Sequence, residues 1–502
     1  MVDKTQEAYF RHFRKNIVGI NQKFTSPYGE KTIHYFDWTA SGRLYGPIEE
    51  KMKDNFGVFV GNTHSESTET GVNMTIAYEE ARKIIKRHVN AGNDDAILMV
   101  GSGATGAISK LQRILGLKYL DQTSRFSQLV GKKNSFSISN KQKPIVFVSQ
   151  MEHHSNQITW LDGGSDVVVV PVNKAGLIDL VFLEKLLIKY KARKIKIGSF
   201  TACSNVTGIG NPVYDLSKLM HRHGGYCFVD FAAAAPYVKI DINPREKNAK
   251  LDAIFFSPHK FLGGPATPGV LIFDKSLYPV GLSPENSGGG TVKWTNPWGE
   301  RSYYEEIETR EDGGTPAFLQ TVKVALAIKL KEEMGIGKIF KREEYLLNIL
   351  LNGLRKIPGL HILDDNGHKR AGIVSFYIDG IHYNLVVKLL NDHFGIQTRG
   401  GCSCAGTYGH RLFNIDHKSS KKITDAINKG DLSTKPGWVR VSLHPTLLDA
   451  EIGVLVRAVK QIADSYKEWG KDYLYSKSTN EFTNRFFSMK QKRGEIESWF
   501  AD

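Results

Sequence analysis

The sequence predicts an α/β fold built on a mostly parallel, seven-stranded sheet, and three observations carry that expectation. Seven short, β-rich apolar runs follow one another between residues 96 and 273. Helical or loop segments precede most of them, as crossover connections require. Two of the runs are followed within a few residues by a carboxylate and an amine, and ligand-binding groups of open parallel sheets sit at the carboxyl ends of strands.

The elements follow in order. Residues 1–34 form a polar N-terminal segment, read as a helix plus loop within 1–30. Glu79 to Val89 has the spacing of an amphipathic helix. The strand runs are Ala96–Val100, Pro144–Val148, Val167–Val170, Ile195–Phe200, Tyr226–Val229, Asp252–Phe256 and Gly269–Phe273. The last two lie close together, which leaves room for an antiparallel member. Residues 120–143, rich in Ser, Asn and Lys, read as an inserted surface loop. A long helix is expected from Ala317 to Glu333, closed by Gly335. Beyond it, Glu343–Leu354, Ile373–Ile378, Leu385–Leu390, Trp438–Ser442 and Leu448–Ile462 predict a smaller α+β domain, interrupted by a polar insertion at 408–436. The expected division is 1–34, a large domain at 35–320, a small domain at 321–470 and a basic, aromatic tail at 471–502. A surface-docked helix is the simplest reading of that tail.

Composition narrows the function. The chain has 502 residues, 41% of them hydrophobic, enough for more than one core. The net charge of +15 raises the question of nucleic acid, but Lys and Arg are dispersed without a long basic block, so a nucleic-acid partner is not expected. Four cysteines do not make a disulfide framework. No apolar run reaches the ~20 residues of a membrane helix. A cytoplasmic protein with no membrane partner is the expectation.

The chemistry is concentrated in Asp252-Ala-Ile-Phe-Phe-Ser-Pro-His-Lys260. An amine at the end of a buried strand, beside a hydroxyl and an imidazole, suits a Schiff-base lysine carrying pyridoxal 5'-phosphate (PLP). The preceding run ends in Asp230, and a carboxylate on the pyridinium nitrogen keeps the PLP ring an electron sink. Gly101-Ser-Gly-Ala-Thr-Gly106 follows a strand and opens the helix Ala107–Leu115, a place where backbone N–H groups bind phosphate. The same spacing matches a dinucleotide fingerprint, with Asp121 as a possible ribose ligand. PLP accounts for Asp230 and Lys260 as well, and is preferred. Cys402, Cys404, His410 and His417 could form a zinc site but lack a CxxC pair, so no metal is expected.

Taken together, these residues resemble the class V aminotransferase family of PLP enzymes, in its cysteine desulfurase and selenocysteine lyase branch, over about residues 35–465. The resemblance implies PLP-dependent fold type I. Tyr35-Phe-Asp-Trp-Thr-Ala-Ser41 is similar to the family's opening strand and loop, and Asn62-Thr-His-Ser65 to its next active-site loop, which makes His64 a substrate-side residue. Gly103, Ala104 and Thr105 occupy the phosphate-loop position, and Ser257 and His259 match phosphate ligands. His153 takes the place of the histidine that stacks on the ring and exchanges protons, and Asn205 that of the residue contacting the ring hydroxyl. Thr315, in Gly313-Gly-Thr-Pro316, matches a segment lent across a dimer interface, which implies a homodimer with shared active sites. Arg440 corresponds to the clamp on the substrate α-carboxylate. Arg399 lies five residues before Cys404, the family's spacing between an arginine and its nucleophilic cysteine.

The implied reaction converts L-cysteine to L-alanine, leaves a persulfide on Cys404, and calls for a sulfur-acceptor protein. One position departs from the pattern. Ala233 stands where desulfurases carry Gln or His beside the ring. That favours an alternative, an aminotransferase, lyase or epimerase acting on another amino acid, in which Cys404 is not catalytic. Cys402 is a second candidate for the reactive thiol.

Overall fold

A computed structural model describes residues 4–63, 67–118, 127–131, 139, 141–487 and 489–501. Its large sheet holds seven strands: β1 (Asp95–Val100), β2 (Ile145–Ser149), β3 (Asp166–Val170), β4 (Lys196–Thr201), β5 (Tyr226–Asp230), β6 (Ala253–Phe256) and β7 (Gly269–Asp274). Their spatial order is β1-β7-β6-β5-β4-β2-β3. The pairs from β6 through β5, β4 and β2 to β3 are parallel. Strand β7 is antiparallel to both of its neighbours, β1 and β6. The antiparallel member foreseen among the last two runs is thus the last run.

Most of the strands read as continuous apolar runs because both faces of the sheet are covered. Ile97, Phe147, Val229, Ile254, Phe256 and Ile272 enter one buried cluster. The alternating residues Leu98, Val148, Phe228, Phe255 and Phe273 enter the cluster on the opposite face. Helices Glu69–His88 and Phe318–Met334 pack against each other beside the sheet. The first begins ten residues before the expected Glu79, because Thr68 caps it by accepting a hydrogen bond from the Gly71 amide. The second ends at Gly335, whose φ of 77° a side-chain-bearing residue adopts only with strain.

A second sheet has four strands: β8 (Leu360–Ile362), β9 (Ile373–Ile378), β10 (Arg399–Gly401) and β11 (Trp438–Ser442), in the order β8-β9-β11-β10, all antiparallel. Helices Ile336–Leu354, Tyr383–Phe394 and Asp449–Trp469 bury Leu350, Leu389 and Ile452 with Phe376 and Val441 of this sheet in a core of its own. The stretch 408–436 carries helix His417–Asn428, and a short helix, Gly406–Leu412, overlaps its start. Most of the polar stretch 120–143, with Asp121, lies outside the described residues.

The tail departs from the single docked helix. It begins with a hairpin, Tyr473–Ser476 paired with Glu481–Asn484, followed by helix Met489–Ser498. Asn480 at the hairpin turn fastens it to helix Tyr383–Phe394, with its amide nitrogen donating to Tyr383 Oη at 2.6 Å and its carbonyl accepting from Asn384 Nδ2 at 2.6 Å. The N-terminal segment is likewise more than helix and loop. Helix Lys4–Arg14 buries Phe10 and Phe13 in the large core, and a hairpin pairs Lys23–Ser26 with Gly29–Thr32.

Candidate active site

Strand ends of the large sheet place three functional groups together. Strand β5 ends in Asp230, which is 4% exposed and accepts a hydrogen bond from the Ala232 amide at 2.8 Å. Burial raises its carboxyl above the ordinary range, against the Ala232 bond and the Lys260 charge, which pull it down. The neighbouring strand β6 ends at Phe256, and a single 3-10 turn, Pro258–Lys260, swings Lys260 back toward Asp230. Burial lowers the Lys260 ammonium to about 8; Asp230 opposes this, and Arg440 adds to it. An amine so depressed is neutral over a useful part of the physiological range.

The glycine loop after β1 closes over the same turn. Ser257 Oγ accepts the Ala104 amide at 2.9 Å. Gly103 has φ of 59°, and a Cβ there would stand 2.9 Å from Ser257 Oγ and 3.2 Å from His259 Cε1. The backbone thus leaves a cradle that only glycine keeps open, at the start of helix Gly103–Ile114. The helix takes in Gly103 and Gly106, so the loop itself is shorter than its glycines suggest. Burial and the nearby Lys260 hold the His259 imidazole down at about 4, which makes it neutral.

His153 follows β2 and lies half-buried. Burial lowers its imidazole to about 4, with Lys260 next in effect. Its Nδ1 accepts the Ser155 amide at 3.1 Å, and Ser155 Oγ in turn meets Thr105 Oγ1 at 2.6 Å. Two residues of this segment act beyond anything their sequence suggested. Glu152, buried, binds Ser149 Oγ at 2.5 Å, Asn156 Nδ2 at 2.7 Å and the Thr201 amide at 3.0 Å. It therefore locks the segment to β2 and β4. Burial pushes its carboxyl up to about 7. His154 holds the distant cysteine loop, donating its backbone N–H to Cys404 O at 2.7 Å and accepting the Gly406 amide on Nε2 at 2.9 Å.

The second sheet supplies the other wall. Arg399 and Arg440 are directly opposite on β10 and β11, a like-charge pairing that disfavours the sheet unless compensated. Asp37 compensates, accepting Arg440 Nη2 on Oδ1 at 2.9 Å and Arg399 Nε on Oδ2 at 3.1 Å. Asp37 lies within Tyr35–Ser41, where nothing local in the sequence marks it for this task. Arg440 is 3% exposed, also donates to Asn205 O at 3.2 Å, and keeps a buried Nε without a hydrogen-bond partner among the described residues. Asn205 donates its amide to Ser403 O at 2.7 Å, which ties the large sheet to the cysteine loop.

Ser403 and Cys404 both have left-handed backbones, φ of 51° and 56°. The Cys404 side chain is exposed, while Cys402 is half-buried. Cys404 is close enough to Arg440 for their charges to interact. Cys203, by contrast, is buried, and burial pushes its thiol up to about 12. Thr315 is exposed beside a cavity of about 230 Å³ that Gly101 and Lys110 also line. His64 lies outside the described residues. Ala233, 6% exposed, sits in the turn after Asp230 and offers no side-chain donor there. Among the described residues no group of three or more His, Cys, Asp or Glu side chains is placed to hold a metal, and His410 is engaged with Gly406 O and Ser420 Oγ.

These residues fit PLP. The glycine cradle with Ser257 and His259 accepts a phosphate, the buried Asp230 has no cationic hydrogen-bond partner of its own among the described residues, and the depressed Lys260 amine is suited to hold a carbonyl group.

Known proteins agree with that reading. The chain is 29% identical over 375 residues, 74% of its length and 84% of the relative, to a probable cysteine desulfurase of Halalkalibacterium halodurans. It is 28% identical over 445 residues, 86% of its length and 96% of the relative, to a probable cysteine desulfurase of Pyrococcus abyssi. Among solved structures, the apo cysteine desulfurase of Thermococcus onnurineus NA1 superposes with a TM-score of 0.71 at 23% identity, covering 90% of this chain and 98% of that one. The Escherichia coli cysteine desulfurase CsdA gives 0.69 at 21%, covering 91% and 98%. At such identities the structural matches speak for the fold alone. The aminotransferase class-V family matches residues 34–126 and 122–455, nearly the whole of both sheets, and the chain belongs to that family of PLP-dependent enzymes.

Proposed function

We propose that this enzyme is a cysteine desulfurase, converting L-cysteine to L-alanine with a persulfide left on Cys404. The observation that carries the reading is the Cys404 loop: an exposed thiol on a left-handed turn, tied to His154 and Asn205 and facing Arg440 across the same opening. The relatives named cysteine desulfurases support it.

PLP, held by Lys260, Asp230, Ser257, His259 and the Gly103–Thr105 loop, supplies an electron sink that weakens bonds at the substrate α- and β-carbons. The protein's own groups do the rest. Arg440 takes the substrate carboxylate on a fork that Asp37 and Asn205 O already orient, with Arg399 beside it. Lys260, whose amine burial lowers to about 8, is suited to move protons at the substrate α-carbon. His153, neutral, is suited to carry protons there. The Cys404 thiolate attacks the substrate sulfur. An S–S bond forms as the carbon–sulfur bond breaks; the substrate carbon keeps the bonding pair, gains a proton and leaves in alanine. The persulfide sulfur then passes to an acceptor. Thr315, which is exposed, is proposed to serve the neighbouring subunit of a homodimer, and a cytoplasmic setting suits the free thiols.

Ala233 favours the other reading, a transamination, elimination or epimerisation of another amino acid with Cys404 idle. The two part in one assay. Alanine and sulfide formed from L-cysteine over many turnovers, with a reductant present, support the desulfurase. Protein that shows the visible absorbance of bound PLP yet makes no alanine excludes it.

A further inference from the structure

The loop that carries Cys404 is held from outside by a handful of groups, and one of them can change charge. Ser403 and Cys404 are consecutive left-handed residues, φ of 51° and 56°, a backbone that persists only when its surroundings impose it. Asn205 Nδ2 donates to Ser403 O at 2.7 Å, and Trp438 Nε1 donates to Ser403 Oγ at 3.2 Å. Thr407 Oγ1 donates to Gln157 Oε1 at 2.8 Å. His154 brackets the thiol itself: its backbone N–H donates to Cys404 O at 2.7 Å, and its Nε2 accepts the Gly406 amide at 2.9 Å. The Asn, Trp, Thr and Gln side chains do not titrate. Of these restraints, only the imidazole of His154 can be switched by a proton near neutrality.

The Gly406 bond fixes what that imidazole must be. A backbone N–H is a donor, so Nε2 presents its lone pair and the ring proton sits on Nδ1. Protonation of Nε2 would set a second N–H against the first, two donors with no acceptor between them. The surroundings favour the neutral ring. Burial lowers the imidazole below its ordinary value, and the Lys435 ammonium, in the 408–436 stretch, lowers it further. The other titratable groups around it are His153, with ring centres 6.3 Å apart, Cys404 in the held loop, and His410, whose Nδ1 meets Gly406 O at 2.8 Å. None of these is a carboxylate that would stabilise an imidazolium.

We propose that His154 is a positioning residue for the sulfur-transfer step: its neutral imidazole holds Gly406, and protonation of Nε2 frees the Cys404 loop and lets the thiol leave its place. This rests on the desulfurase reading. It gives that site an acid-side control separate from the chemistry at the α-carbon, which falls to Lys260 and Arg440.

The test compares two reactions of the PLP-loaded enzyme. Sulfide release from L-cysteine, with a reductant present, needs Cys404; exchange of the L-alanine α-hydrogen in deuterium oxide does not. His154→Ala should cut sulfide release at least about tenfold and leave the alanine exchange within about threefold of wild type. His154→Gln, whose amide oxygen can accept the Gly406 N–H but does not titrate, should recover most of the lost release. The ratio of wild-type to His154→Gln sulfide release should fall as the pH drops from about 7 toward about 5, because the titrations of Lys260 and Cys404 are common to both and cancel. Amide hydrogen exchange over residues 402–412, read by mass spectrometry, should quicken in His154→Ala and not in His154→Gln. The proposal is overturned if His154→Ala releases sulfide as wild type does, if alanine exchange falls in step with sulfide release, if His154→Gln is as impaired as His154→Ala, or if the ratio does not change with pH. Cys404→Ala separates this from failure of the desulfurase reading. If that variant keeps releasing sulfide, the reading falls and the proposal with it; if it stops while His154→Ala continues unimpaired, the proposal alone falls.

Discussion

The two walls of the active site are built by different means. The large-sheet wall is made of strand ends: Asp230 closes β5, the Ser257–Lys260 turn follows β6, and Gly103 follows β1. Its groups are placed by paired backbones and buried on both faces of the sheet. The small-sheet wall is made of side chains held by other side chains: Asp37 between Arg399 and Arg440, and a cysteine loop pinned by His154 and Asn205. The same contrast separates two thiols. Cys203 belongs to the rigid wall, buried and pushed up to about 12, whereas Cys404 is exposed on a loop. Under the proposed reaction, the groups that must stay fixed sit at strand ends, and the group proposed to reach a substrate sulfur sits on a turn held by a few hydrogen bonds.

That contrast can be broken at either wall. The largest effect is expected for Lys260→Ala, which should lower alanine formation by at least about 10³-fold and abolish the visible absorbance of bound cofactor. Next is Cys404→Ala, with a loss of about 10²-fold or more in sulfide release but unaltered absorbance. Cys203→Ala and Cys402→Ala should stay within about threefold of wild type, measured in the same assay. If Cys402→Ala instead shows the large loss, the reactive thiol has been misassigned. The rate of PLP uptake by the apoprotein should rise about tenfold per pH unit up to about pH 8 and then level off, because only the neutral Lys260 amine reacts and its depressed value sets the plateau. Stopped-flow absorbance reads this directly, and a plateau delayed toward pH 10 would mean that burial does not depress the amine. A smaller effect than those of Lys260→Ala and Cys404→Ala is expected for Gly103→Ala, where a left-handed alanine and its crowding of Ser257 should weaken PLP binding by about five- to tenfold while the fold survives.

How much of this was legible in the sequence follows the same division. All seven strand runs of the large sheet are readable, because burial on both faces makes most of them continuous apolar runs, and β1, β2, β5 and β6 end within a few residues of a candidate site residue. Asp230 and Lys260 could be paired on spacing alone. The small-sheet wall resisted. Arg440 and Arg399 emerged only through family resemblance, and Asp37 had no visible task, because an ion pair joining positions 37, 399 and 440 leaves no local pattern. The same holds for Glu152, whose partners lie on two strands, and for His154, whose work is done on residues 404 and 406. The tail hairpin was missed for a different reason. Its strands are only four residues each and bury one residue apiece, so they carry almost no hydrophobic period.

The reversed direction of β7 has a consequence for how the protein assembles. Strand β1, which leads into the glycine cradle, stands at the sheet edge and is joined to the rest only through β7. Residues 101–268 lie between the two, so this pairing closes the longest loop in the sheet and is expected late in folding. Gly269, the first residue of β7, packs directly on the backbone of Gly103, so the cradle has no fixed position until that strand docks. During refolding in the presence of PLP, visible absorbance should therefore lag behind far-ultraviolet circular dichroism, and cofactor capture becomes a reporter of the final topological closure of the chain.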